Sequence, residues 1–249
     1  MTRQRFNRRS FLQTSAAAGA ALSSPSMLRA HGANERLNIA MIGIGNRGQR
    51  NTGYFKKENI VALCDVNAEK IGMAAKFFPK ARRATDFRRL FDHEKEFDAV
   101  VISTPEHTHA FATLPGLQLG KHVYCEKPLT YNIEEARIIR LAARNANVVT
   151  QMGTQNHAND NYRRVVELIQ SGTIGAVREA HVWHSRAWGW HKSEQAARDA
   201  QDRYIVIRRP KTSQPIPAGL NWDLWQGPAP GRPFHHDYLV IFYYFSLIL

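Results

Sequence analysis

The chain has 249 residues, of which 43% are hydrophobic, 22% charged and 10% aromatic, and these globular proportions exclude a collagen-like, coiled-coil or wholly disordered chain. Thirty-four Lys and Arg against 21 Asp and Glu leave a formal charge of +13, so nucleic-acid binding turns on where that charge sits. Two cysteines, Cys64 and Cys125, are too few for a disulfide framework or a cysteine-built zinc site. No apolar run approaches the roughly 20 residues of a membrane-spanning helix.

Residues 1–33 read as an export signal. Arg3, Arg5, Arg8 and Arg9 precede a small-residue run from Thr14 to Ser24, with no acid before Glu35. A basic start, a weakly apolar middle and a small-residue exit are the parts of such a signal. Asn7-Arg8-Arg9-Ser10-Phe11-Leu12 looks like the twin-arginine kind, whose partner is the export machinery and whose destination is the periplasm or beyond. Ala30 or Ala33 would end the removed segment. Residues 1–36 hold six arginines and one acid, a net +5 of the +13. A further cluster, Lys76, Lys80, Arg82, Arg83, Arg88 and Arg89, lies beside Asp86 and Asp92. No aromatic-interleaved basic stripe appears, so a solvated basic face is expected rather than a nucleic-acid partner.

From Leu37 onward strand and helix patterns alternate. Leu37–Ile42, Ile60–Cys64, Phe97–Ser103, His122–Cys125 and Val148–Met152 are short apolar runs that read as strands. Helical spacing falls between them, over Asn67–Phe78, Phe111–Leu119 and Ile133–Asn145. This alternation predicts an α/β fold, a Rossmann-type doubly wound parallel sheet with right-handed crossovers over residues 34–155. Residues 156–249 read as the opening of an incomplete α+β substrate domain, with a helix near Asn161–Gln170 and a strand near Arg178–His184.

The first strand runs directly into Gly43-Ile44-Gly45-Asn46-Arg47-Gly48, and Asp65 follows 22 residues after the first glycine at the end of the second strand. That is the dinucleotide fingerprint in its proper context. Gly43 permits the tight turn, Gly45 lets backbone approach the pyrophosphate, and Gly48 allows close helix–strand packing. The helix opening at Asn46 and Arg47 offers its free N–H groups to phosphate. Asp65 suits the adenosine ribose hydroxyls and repels a 2′-phosphate, so NAD is favoured over NADP, although Arg47 and Arg50 stand nearby.

At Thr104-Pro105-Glu106-His107-Thr108-His109 and at Gly120 through Glu126-Lys127-Pro128-Leu129-Thr130 the chain resembles the Gfo/Idh/MocA oxidoreductases. Gly153-Thr154-Gln155, Ser171–Gly175 and Trp222–Pro230 match as well, so the resemblance runs from about Leu37 to about Tyr238. It implies an exported NAD-dependent oxidoreductase acting on a sugar or polyol hydroxyl. Lys127 would be the catalytic residue, polarising the substrate oxygen at the nicotinamide. Thr104, Pro105, His109, Glu126 and Gln155 would join the fingerprint residues around the cofactor.

The resemblance also implies a continuation that supplies a Gly-Asp-x-x-x-His-like acid and histidine. No Gly-Asp dipeptide occurs here, and Tyr238–Leu249 reads as a sticky apolar end. A truncated or frame-shifted chain is expected, able to bind NAD but with little turnover, and pairing with a second copy only if the sheet domain were complete. No metal site is expected, because His181 and His184 would face opposite sides of a strand. His181, Trp183, His184, Trp188, Trp190 and His191 suit either a sugar-stacking rim or an aromatic cluster at a sheet edge. Two rival functions remain: an NAD-dependent glycoside hydrolase of the same fold, and a nucleotide-binding remnant without turnover.

Overall fold

The computed structural model describes residues 36–183, 193–199, 210 and 212–240. The export segment, His184, the Trp188–His191 cluster and residues 241–249 lie outside them.

Six strands form one parallel sheet: β1 (Asn38–Ile42), β2 (Asn59–Cys64), β3 (Arg82–Ala84), β4 (Ala99–Ile102), β5 (His122–Glu126) and β6 (Thr150–Gly153). Their spatial order is β3-β2-β1-β4-β5-β6, reversing direction between β1 and β4. Crossovers are made by α1 (Asn46–Tyr54), α2 (Ala68–Ala75), α3 (Phe87–Phe91), α4 (His109–Gln118) and α5 (Ile133–Ala146). After β6 come α6 (Asp160–Gln170), α7 (Glu194–Asp199), α8 (Trp222–Gln226) and α9 (Asp237–Val240).

The near-continuous apolar runs have a simple cause. Successive strand residues point to opposite faces, and both faces are covered. Ala40, Ile42, Val100, Ile102 and Val123 meet Leu90 of α3, Leu117 of α4 and Ile139 of α5 on one side. Ile39, Met41, Leu63 and Val101 meet Ile71 and Ala75 of α2 on the other. Helix starts are set locally: the side chains of Asn67, Asp86 and Asn132 each accept an N–H in the first turn of α2, α3 and α5. At α5 the cap is reciprocal, since Glu135 accepts the Tyr131 N–H at 2.9 Å.

Two expectations need correction, and one strand carried no signal in the sequence. No strand forms over 178–183, where the chain is exposed and without regular structure and pairs with no strand among the described residues. The short strand β3 carries no apolar run, with Arg82 and Arg83 exposed, and is placed only by pairing with Ala62–Cys64. Tyr238 is not an exposed end but 7% accessible, packed in an aromatic group with Trp222, Trp225 and Phe234. Half of the basic cluster is paired: Arg82 with Glu96 at 2.6 Å, Arg88 with Asp86 at 2.7 Å and Arg89 with Asp92 at 3.6 Å.

Candidate dinucleotide site at the strand ends

The reversal of strand order between β1 and β4 opens a crevice at the C-terminal strand ends, where open α/β sheets bind ligands. The turn from β1 into α1 shows why its three glycines differ. Gly43 has φ of +78°, and a Cβ there would lie 2.7 Å from the backbone of Ser103 and Thr104 at the end of β4. Gly48 sits so tightly on the turn that a Cβ would overlap the Gly43 carbonyl oxygen. Gly45 has no such neighbour: its nearest atoms would be Lys70 Cγ at 3.8 Å and Asp65 Oδ2 at 4.0 Å. The fold itself does not need glycine at 45, and its lack of a side chain leaves the turn open to the crevice. Helix α1 has no side-chain cap and no acid in its first turn, so its N–H groups and dipole face the crevice unopposed. Asn46, at φ of +42°, carries the chain into this helix.

Asp65 lies on the same crevice. Its Oδ2 accepts the Ile44 N–H at 2.9 Å and its Oδ1 accepts the Asn67 N–H at 2.9 Å. Burial pushes its carboxyl above the ordinary carboxylate value, outweighing those N–H donors, that of Gly45 and the nearby Lys70. A cavity of about 440 Å³ contains Gly43, Gly45, Asn46, Asp65, Thr104 and Pro105 among its lining residues, a size typical of small-ligand sites. Arg88 also lines it, but its guanidinium forks onto Asp86 with contacts of 2.7–3.0 Å and holds that carboxyl below its ordinary value.

A second polar cluster surrounds Glu126, the last residue of β5. Its Oε1 accepts from Arg47 Nε at 2.9 Å, Asn51 Nδ2 at 2.8 Å, Gln155 Nε2 at 2.9 Å and the Tyr124 hydroxyl at 3.2 Å. Burial works to raise the Glu126 carboxyl, but the donors from Asn51, Arg47 and Gln155 outweigh it and hold it low. The structure thus brings together Arg47, Glu126 and Gln155, with Asn51 and Tyr124 beside them. Asn51 also donates to Ser103 Oγ at 2.8 Å, tying α1 to the end of β4. Its one signal in the sequence was spacing, since 47 and 51 share a helix face.

Lys127 follows β5 directly and is exposed, with Pro128 after a cis peptide bond. His109 differs from expectation. It is 1% accessible, with Nδ1 2.6 Å from the Pro128 carbonyl oxygen and Nε2 2.8 Å from that of Thr104. It therefore stands behind the crevice as a tether between the β4 and β5 ends and does not line the cavity. His107, unassigned in the sequence, is 2% accessible and holds the Trp225 carbonyl oxygen at 2.9 Å from Nε2. Burial pulls its pKa below the ordinary histidine value. The thiols of Cys64 and Cys125 are buried and free, and burial pushes Cys125 up to about 12.

Residues 37–154 match the Gfo/Idh/MocA family, described as an oxidoreductase family with an NAD-binding Rossmann fold. That match takes in a little under half of the chain and makes its Rossmann domain one of the Gfo/Idh/MocA kind. Residues 5–25 match the twin-arginine translocation signal, so the chain is addressed to the export machinery. No helix among the described residues is long and apolar enough to cross a membrane. An inositol 2-dehydrogenase of Gluconacetobacter diazotrophicus is 30% identical over 180 residues, covering 70% of this chain and 53% of that protein. A 1,5-anhydro-D-fructose reductase of Ensifer adhaerens is 34% identical over 128 residues, 51% of this chain and 38% of its own length. The apo scyllo-inositol dehydrogenase of Lactobacillus casei superposes with a TM-score of 0.54 at 27% identity, over 57% of this chain and 43% of that one. The chain spans about half the length of the curated relatives it matches.

Outside the Rossmann domain, His235, His236 and Asp237 bring three ligand-type atoms within 4.8 Å. Both histidines already contact Asp237, at 3.3 and 3.1 Å, and His236 also meets Gln214 Oε1 at 3.2 Å.

Proposed function

We propose that this protein binds NAD in preference to NADP and interconverts an alcohol and a carbonyl on a sugar or polyol. The reading rests above all on the open space over Gly45, in one cavity with the carboxylate of Asp65. Those residues fit the cofactor: α1 offers its uncapped N-terminus to pyrophosphate, and Asp65 accepts from the ribose diol. A 2′-phosphate would bring more negative charge against Asp65. Two nearby arginines that could answer it are engaged elsewhere, Arg88 with Asp86 and Arg47 with Glu126. Relatives named for inositol and anhydrofructose support a polyol or sugar substrate.

Bound nicotinamide would supply the hydride acceptor or donor. Lys127, at the end of β5, would hold the substrate oxygen with its ammonium and stabilise the negative charge that develops there. Glu126 stays ionised among its donors and would accept a hydrogen bond from the ribose on the nicotinamide side. Arg47, Asn51 and Gln155 act as positioning residues by locking the Glu126 carboxylate.

The test is titration of the 249-residue chain with NAD, followed by NADH formation across inositols and sugars with wild type and Lys127→Ala. Saturable NAD binding is expected, together with a weak NADH signal that Lys127→Ala abolishes. Absence of NAD binding overturns the proposal. Binding without NADH formation from any substrate removes its reaction half, and NADH formation that persists in Lys127→Ala removes the role of the lysine.

A further inference from the structure

The cavity holding Asp65 is lined from two distant stretches of chain. One is the Rossmann crevice; the other is the segment Gly219–Leu239, which contributes Asp223, Leu224, Trp225, Pro228 and Tyr238. This segment is fastened on both sides of β1. After β2, the Ala68 N–H donates to the Gly219 oxygen at 2.8 Å and the Asn221 N–H donates to the Val66 oxygen at 2.9 Å. After β4, His107 holds the Trp225 carbonyl oxygen at 2.9 Å, and a Cβ on Gly227 would lie 3.0 Å from Thr108 Cγ2. Because β2 and β4 flank β1 in the sheet, the segment straps across the strand end that carries the glycine turn.

The strap has a core of its own. Trp222 stacks on Trp225 at 4.5 Å, and Phe234 and Tyr238 close around them. Trp222, Trp225 and Gln226 are the buried positions of α8, and they share one helical face. Asp223 is exposed and Leu224 half-buried, and both line the cavity. Part of the short helix builds the strap, and these two residues are left facing the cavity.

We propose that the Gly219–Leu239 strap is a wall of the adenosine subsite. This rests on the NAD reading above, because Asp65 marks the ribose on the adenine side, and neither Glu126 nor Lys127 lines this cavity. An adenine ring needs apolar surface against its faces and an acceptor for its exocyclic amine. Leu224, Trp225 and Pro228 supply the first, and the Asp223 carboxylate supplies the second. Nucleotide affinity is then set partly by residues more than 150 positions beyond the fingerprint.

The experiment is calorimetric titration with NAD, AMP and IMP, alongside thermal denaturation without ligand. Leu224→Trp fills the cavity and should weaken NAD and AMP by the same factor, about tenfold or more, with the unliganded melting temperature unchanged. Asp223→Ala should abolish the preference for AMP over IMP, which lacks the amine. If Leu224→Trp lowers the unliganded melting temperature, Leu224→Ala decides, with a loss of about threefold or more expected for both ligands. A wild-type chain that binds NAD while folded variants stay within about twofold of it overturns the strap alone. A wild-type chain that binds neither NAD nor AMP overturns the cofactor reading and the strap with it.

Discussion

Asp65→Asn tests the cofactor assignment most sharply, because it removes the charge while keeping the shape. Besides the Gly45 N–H, the carboxylate accepts those of Ile44 and Asn67, each at 2.9 Å on a different oxygen. An Asn keeps one oxygen for one of them and turns an amide nitrogen toward the other. One orphaned buried N–H costs about 1–3 kcal/mol. Relief of burying a charge offsets this, since that burial is what raises the Asp65 carboxyl. The variant is therefore expected to fold, with a loss of about 1–2 kcal/mol. NAD binding should suffer more. Hydrogen bonds to a charged acceptor are worth about 1.5–3 kcal/mol, or about 10- to 150-fold in affinity. NADP, which gains nothing from the carboxylate, should weaken less, so the preference for NAD shrinks. Linkage adds a signature: a raised folded-state pKa means that Asp65 disfavours folding as pH rises past its unfolded value. In the binding assay wild-type NAD affinity should fall as pH drops through that raised pKa, whereas Asp65→Asn should show no such step. Fluorescence titration with both dinucleotides at several pH values is the assay. A folded Asp65→Asn with NAD affinity within about twofold of wild type would refute the reasoning.

The second and third glycines of the cradle should separate fold from function. Gly48→Ala forces a Cβ onto the Gly43 carbonyl and should lower stability by about 1–3 kcal/mol or more in chemical denaturation. Gly45→Ala meets only ordinary contacts, so it should keep the melting temperature and lose NAD affinity. Glu126→Gln presents an amide to the Arg47, Asn51 and Gln155 donors and should cost about 3 kcal/mol, near the low end for breaking a buried pair. Because the Glu126 carboxyl is held low, its stabilisation is complete above the ordinary value of about 4.3 and is lost as pH falls through the folded value. Wild type and Glu126→Gln should therefore converge in acid urea titrations. Changing Arg8 and Arg9 together to Lys should block export, and mature protein outside the cytoplasm would count against the twin-arginine signal.

Much of the fold and half of the site could be read along the chain, for a local reason. The β1 run, the glycine turn and Asp65 encode their geometry within about 30 residues, as one βαβ unit. The capped starts of α2, α3 and α5 are equally local, each needing one side chain and the backbone two or three residues on. Glu126 and Lys127 were visible because a family signature marks them at a strand end.

Other features exist only in three dimensions. Strand β3 has no hydrophobic signal and forms because β2 presents an open edge beside it. The segment 178–183 has strand-like composition but pairs with no strand among the described residues and stays irregular. Position 109 carried a histidine at the right distance from Thr104, yet whether its ring faces the crevice or the interior depends on where the Pro128 carbonyl arrives. Asn51 and Tyr124 became site residues only when α1, β5 and Gln155 converged on one carboxylate. The sequence alone determined the alternating pattern, the dinucleotide turn and the export address, because each is written in contiguous residues. Tertiary structure decided that Trp222–Leu239 lies over the cavity beside Asp65, because backbone groups at Val66 and Ala68 and the ring of His107 find their partners there.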